Sequence, residues 1–64
     1  MYRIYGKHKD QTRFGAMDLK EGYQVGNLIY ASMLTAEEKD RFMEKEAPRN
    51  PDWTFEPRVI PNSD

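Results

Sequence analysis

With 64 residues, 38% hydrophobic and 33% charged residues, no cysteine, one histidine and a net charge of −1, the chain has room for one small domain, 1–64. Disulfides and thiolate metal sites are excluded, a zinc site would need several carboxylates around the lone histidine, and no apolar run approaches the roughly 20 residues of a membrane span. The start, Met1-Tyr2-Arg3-Ile4-Tyr5, lacks the apolar stretch of a signal peptide, so the expected setting is the cytoplasm, with no membrane partner.

A domain this short buries only about 60% of its unfolded surface, so its core must be thin. Aromatic residues make up 12% of the chain, and a few large rings fill a small core efficiently.

The charges are unevenly spread. Arg3, Lys7, Lys9, Arg13 and Lys20 outweigh Asp10 and Asp18, which leaves residues 1–20 at +3. Residues 21–47 carry Lys39, Arg41 and Lys45 against Glu21, Glu37, Glu38, Asp40, Glu44 and Glu46, and stand at −3. The pattern predicts a basic first hairpin and an acidic helix.

In chain order, Tyr2-Arg3-Ile4-Tyr5 alternates, with Tyr2 and Ile4 on one face, and reads as a strand. Lys7 to Gln11 is polar and reads as a turn, with Gly6 giving the backbone latitude. Thr12 to Leu19 reads as a second strand of mixed faces, its register open by one residue. Leu19-Lys20-Glu21-Gly22 is a turn whose glycine suits the left-handed region.

Tyr23 to Leu34 is apolar on both faces, with Val25, Ile29, Ala31 and Met33 on one and Leu28, Tyr30 and Leu34 on the other. That pattern suits a third strand covered on both sides. A short helix from Asn27 competes; Val, Ile and Tyr favour the strand and Gly26 disfavours the helix.

Thr35-Ala36-Glu37-Glu38 is a capping box. It opens a helix over Ala36 to Ala47 that stops at Pro48 and turns Ala36, Phe42, Met43 and Ala47 toward one side. Glu37 and Glu38 favour the helix dipole, and Glu37–Arg41 is an i,i+4 pair. Trp53, Phe55 and Val59 then alternate with Thr54, Glu56 and Arg58 in a short last strand. Pro57 makes that strand an edge or ends it near Glu56. Residues 61–64 read as a frayed tail. The fold class is therefore α+β: a three-stranded antiparallel sheet, one helix across it and a short fourth strand, in the order β-β-β-α-β. Trp53 and Phe55 are expected to pack under the helix near Phe42 and Met43.

Chemistry is sparse. His8 lies in a basic turn with no nucleophile implied beside it, and the glycines form no phosphate loop. No nucleophile–base pair, metal set or cofactor loop emerges, so neither catalytic residues nor a cofactor are expected. The helix acids Glu37, Glu38 and Glu44 are either a solvated face or an acidic surface for a protein partner. Arg3, Lys7, Lys9 and Arg13, interleaved with Tyr2, Tyr5 and Phe14, form the alternative site, a basic hairpin for nucleic acid.

Three segments together, Tyr2-Arg3-Ile4-Tyr5-Gly6-Lys7, Gly26-Asn27-Leu28-Ile29-Tyr30-Ala31 and Asn50-Pro51-Asp52-Trp53-Thr54-Phe55-Glu56, resemble small uncharacterised proteins of phage-like and conjugative elements of gut bacteria. The resemblance implies a mobile-element context, in which small proteins often inhibit or regulate a host or element enzyme, including defence nucleases, by binding it. The expected function is a non-enzymatic protein-binding module, with nucleic-acid binding through the basic hairpin as the alternative.

Overall fold

A computed structural model describes residues 1–61. Of the expected tail, 62–64 lie outside the described residues. Four strands, β1 (Tyr2–His8), β2 (Gly15–Asp18), β3 (Tyr23–Gln24) and β4 (Trp53–Val59), form one antiparallel sheet in the order β3-β2-β1-β4. The α+β class and the meander of the first three strands agree with the sequence. The strand lengths are redistributed: β4 is long and pairs along all of β1, whereas β3 has two residues. Pro57 does not end β4. It lies at the sheet edge opposite Ile4, where no ladder hydrogen bond is asked of its nitrogen.

The segment expected to continue β3 leaves the sheet. Val25 still donates its N–H to the Ala16 carbonyl at 2.8 Å, but Leu28–Tyr30 is a single 3₁₀ turn. Asn27 decides this: its side-chain oxygen accepts from Ile29 N–H at 3.1 Å and caps the turn. The chain then runs back between β2 and the start of β1. Ser32 N–H donates to the Met17 carbonyl at 3.0 Å, and Leu34 exchanges backbone bonds of 2.7 and 2.8 Å with Tyr2.

Thr35 caps α1 (Ala36–Arg41) with both halves of the box: Thr35 N–H donates to Glu38 Oε1 at 2.9 Å, and Glu38 N–H donates to Thr35 Oγ1 at 3.2 Å. The helix continues as a wider π turn over Phe42–Glu46 and a 3₁₀ turn over Ala47–Arg49. Pro48 is thus inside the final turn, not beyond it. Its missing N–H and its ring forbid a regular α turn there, and the backbone first widens and then tightens around it. Asn50 closes the end, donating from Nδ2 to the Glu46 carbonyl at 2.9 Å. The expected Glu37–Arg41 pair is not among the ion pairs of the described residues; Lys39–Asp40 at 2.6 Å and Arg49–Glu46 at 3.7 Å are.

The helix runs alongside β1, from its start to its end. Lys39 Nζ sits 4.7 Å over the Tyr2 ring, Phe42 meets Phe55 edge-on at 5.0 Å, and the Asn50–Trp53 turn returns the chain beside His8. The helix-facing side of the sheet is Tyr2, Ile4, Gly6 and His8 of β1, with Met17 and the rings of Trp53 and Phe55. Ile4 is fully buried, and Ala16, Met17 and Ala31 complete the set of buried apolar residues. No residue of the helix is fully buried.

Gly6 is needed for space. A Cβ there would lie 2.9 Å from Met17 Sδ and 3.2 Å from Trp53 Cε3, so the buried Met17 side chain and the indole would both have to shift. Gly6→Ala is therefore expected to lower stability by about 1–3 kcal/mol. Gly26→Ala, where a Cβ would meet nothing within 4 Å, should be neutral or slightly stabilising by the same thermal melt. Thr35→Ala removes one half of the capping box and should cost ~1 kcal/mol. In a domain this small that lowers the melting temperature by roughly 4–8 °C.

Candidate protein-contact surface

The most conspicuous surface feature is the turn Leu28–Tyr30. Its three apolar side chains are 45%, 76% and 64% exposed, and Tyr23 and Met33 are also open to solvent. The turn itself is held firmly. Tyr30 N–H donates to the Asn27 carbonyl at 3.0 Å and Ala31 N–H to the Leu28 carbonyl at 3.1 Å. Two residues on, Ser32 is fixed to the sheet, its Oγ accepting from Leu19 N–H at 3.0 Å and its N–H donating to Met17. Buried Ala31 sits between these anchors. Apolar groups are thus displayed on a backbone pinned at both ends. Sequence reasoning missed this surface because its apolar run matched a covered strand. The signal that would have found it is Gly26-Asn27, a break followed by a cap.

The three helix acids do not act together. Glu37 and Glu44 share a shallow hollow on the outer side of the helix with Asp40, Arg41 and Lys45, so the acidic face is interleaved with positive charge. Glu38 is committed to the cap. The Thr35 backbone N–H, and then the Thr35 hydroxyl, hold its carboxyl below the usual 4.5. Next to it, the hydrogen bond with Asp40 pushes the Lys39 ammonium above its usual value.

The four hairpin cations are likewise divided. Arg3 and Lys7 alternate with Ile4 and Gly6 and so project from the face of β1 away from the helix, on either side of Tyr5. Arg58 of β4, directly opposite Arg3, joins them, with its guanidinium 4.1 Å over the Tyr5 ring and bonded to Glu56 at 2.7 and 2.9 Å. Arg3 Nε is buried without a hydrogen-bond partner among the described residues. Lys9 turns instead to Asp52 at 3.6 Å, and Arg13 is exposed in the hairpin loop. That loop is tied by a reciprocal amide pair, Gln11 and Gln24, at 2.9 Å in each direction, lying against Gly15.

His8 is not a turn residue. It ends β1, meets Trp53 edge-on at 5.3 Å, and accepts the Asp10 N–H on Nδ1 at 3.3 Å. Trp53 lies parallel to Phe55, centroids 6.0 Å apart, and it is Phe55 rather than Trp53 that meets Phe42. Among the described residues there is no group of three or more His, Cys, Asp or Glu side chains placed to hold a metal, and no helix long and apolar enough to cross a membrane. Comparison with protein-family models, with curated proteins and with solved structures gives no match.

The commitment of Glu38 to the cap has a pH signature. Because its folded pKa is lowered, the carboxylate stabilises the fold fully above about 4.5, and that contribution is lost as pH falls through the lowered value. Glu38→Gln should therefore melt below the wild type at neutral pH, and the two curves should converge in acid.

Proposed function

We propose that this chain is a non-enzymatic protein-binding module whose central contact is the turn Leu28–Tyr30. The observation that carries the reading is the pairing of high exposure at Ile29 and Tyr30 with a backbone fixed at both ends by Asn27 and Ser32. A pre-ordered apolar turn loses little conformational entropy on binding, and tyrosine is among the residues enriched at interface hot spots. The polarity of the chain, positive over residues 1–20 and negative over 21–47, would steer encounter and orient the partner, with Glu37 and Glu44 meeting a basic surface. The resemblance to small mobile-element proteins supports a regulatory or inhibitory role, with a bacterial defence enzyme as the type of partner.

One specific arrangement favours a second reading, nucleic-acid binding. Arg58 lies over the Tyr5 ring, and Arg3 and Lys7 flank Tyr5 on the same face of the sheet. Cations around an aromatic platform suit single strands. Glu56 and Asp18 lie on the same face and reduce its net charge, which ranks this reading second.

Affinity capture from a bacterial lysate, with and without nuclease, separates the two. The Ile29→Asp, Tyr30→Ala double variant should keep the wild-type melting temperature, since both side chains are exposed, and lose at least about 2 kcal/mol of partner affinity. Reversing Glu37 and Glu44 to Lys should slow association. If instead capture disappears with nuclease or falls steeply with salt, and Arg3→Glu with Lys7→Glu abolishes it, nucleic-acid binding replaces the protein-binding reading.

A further inference from the structure

The helix covers β1 and β4 but leaves a cleft of about 220 Å³ beside them, over β2 and the Gly22 turn. Its walls are Met17 and Leu19 on one side and Phe42 on the other, and Trp53 and Phe55 form the aromatic part of its lining. The two rings lie within 9° of parallel, stacked along β4 with their centroids 6.0 Å apart. The volume falls below the ~300 Å³ at which drug-sized and cofactor pockets begin, so the guest is the size of a side chain.

Two residues with polar side chains, Glu46 and Asn50, line this cleft. Glu46 contributes a carboxylate, and Asn50 an amide, one N–H of which is given to the Glu46 backbone oxygen at 2.9 Å. Arg49 approaches Glu46 at 3.7 Å, too far for a hydrogen bond, and does not line the cleft. The π turn that Pro48 forces on the helix is the segment that supplies both Phe42 and Glu46. An aromatic lining and a carboxylate together call for a cation.

We infer that the cleft receives the side chain of an arginine carried by a protein partner, with the guanidinium against the aromatic lining of Trp53 and Phe55 and hydrogen-bonded to Glu46. Arginine suits the site better than lysine because its planar fork both stacks on aromatic faces and pairs with a carboxylate. The inference rests on the protein-binding reading but on none of the residues of the Leu28–Tyr30 turn.

Trp53 is the only tryptophan of the chain, so its fluorescence and its indole N–H resonance report on this cleft alone. The purified protein is titrated with N-acetyl-arginine amide, its neutral isostere N-acetyl-citrulline amide and N-acetyl-lysine amide at matched ionic strength. The expected result is a saturable Trp53 response to the arginine probe, at least about tenfold weaker for citrulline and weaker for lysine. Glu46→Gln should remove the preference for arginine over citrulline with the melting temperature unchanged. Glu44→Gln and the Ile29, Tyr30 double variant should keep it. No response to arginine, an equal response to citrulline or lysine, or an undiminished preference in Glu46→Gln overturns the inference. If the arginine response is intact while lysate capture fails, the fault lies with the turn and not with the cleft.

Discussion

The ladder between β1 and β4 is the constraint on which the rest of the molecule depends. Tyr2 pairs with Val59 at one end and His8 with Trp53 at the other, so the first and last strands of the chain stand side by side. This pairing makes β1 an interior strand, buries Ile4 and Gly6, and brings Trp53 and Phe55 onto the face that the helix covers. The helix in turn has the length to serve it: the segment 36–49 rises ~21 Å, and a seven-residue strand spans ~24 Å. Because the paired residues are so distant in sequence, the entropy of closing the loop between them must be met before the contacts reward it. Topology of this kind slows folding relative to a helical bundle of the same size.

The interior is thin, and its chemistry is unusual for that reason. Four apolar residues are buried among the described ones, and of these only Ile4 completely. Around them stands a half-buried layer of rings joined in pairs: Phe42 on Phe55, Phe55 beside Trp53, Trp53 on His8, and Tyr2 under Lys39. Amphipathic side chains of this type bury an apolar body while leaving an edge or a charge in water, which lets a short chain cover a sheet without a large aliphatic core. The same economy leaves an aromatic cleft beside the helix, since nothing bulky remains to fill it.

Local signals were legible wherever a single residue carried the conformation. The Thr35–Glu38 box, the left-handed Gly22 with φ at +83°, the inward face of Tyr2 and Ile4, and the edge position announced by Pro57 all follow from elementary chemistry. What failed depended on distant partners. An apolar run from Tyr23 to Leu34 is compatible with a strand until Asn27 caps a turn and Ser32 and Leu34 find Met17 and Tyr2. The basic hairpin divided because Lys9 met Asp52, far along the chain, and because Arg58 arrived from β4 to take its place. The acidic helix lost Glu38 to its own cap, a competition that the capping-box motif itself carries.

Pairing the first strand with the last has a geometric corollary. Ile60 N–H donates to the Met1 carbonyl at 2.8 Å, so residues 1 and 60 leave the sheet at the same corner, while the Lys9–Phe14 loop lies at the far end of β1. A short peptide joining that corner would close the backbone into a ring with little distortion, and a cut in the hairpin loop would reopen it. The order of the strands in space would be kept while their order along the chain was rotated. In such a permuted chain, β4 and β1 would become a local hairpin, and the slow long-range closure that governs the natural order would become a short one.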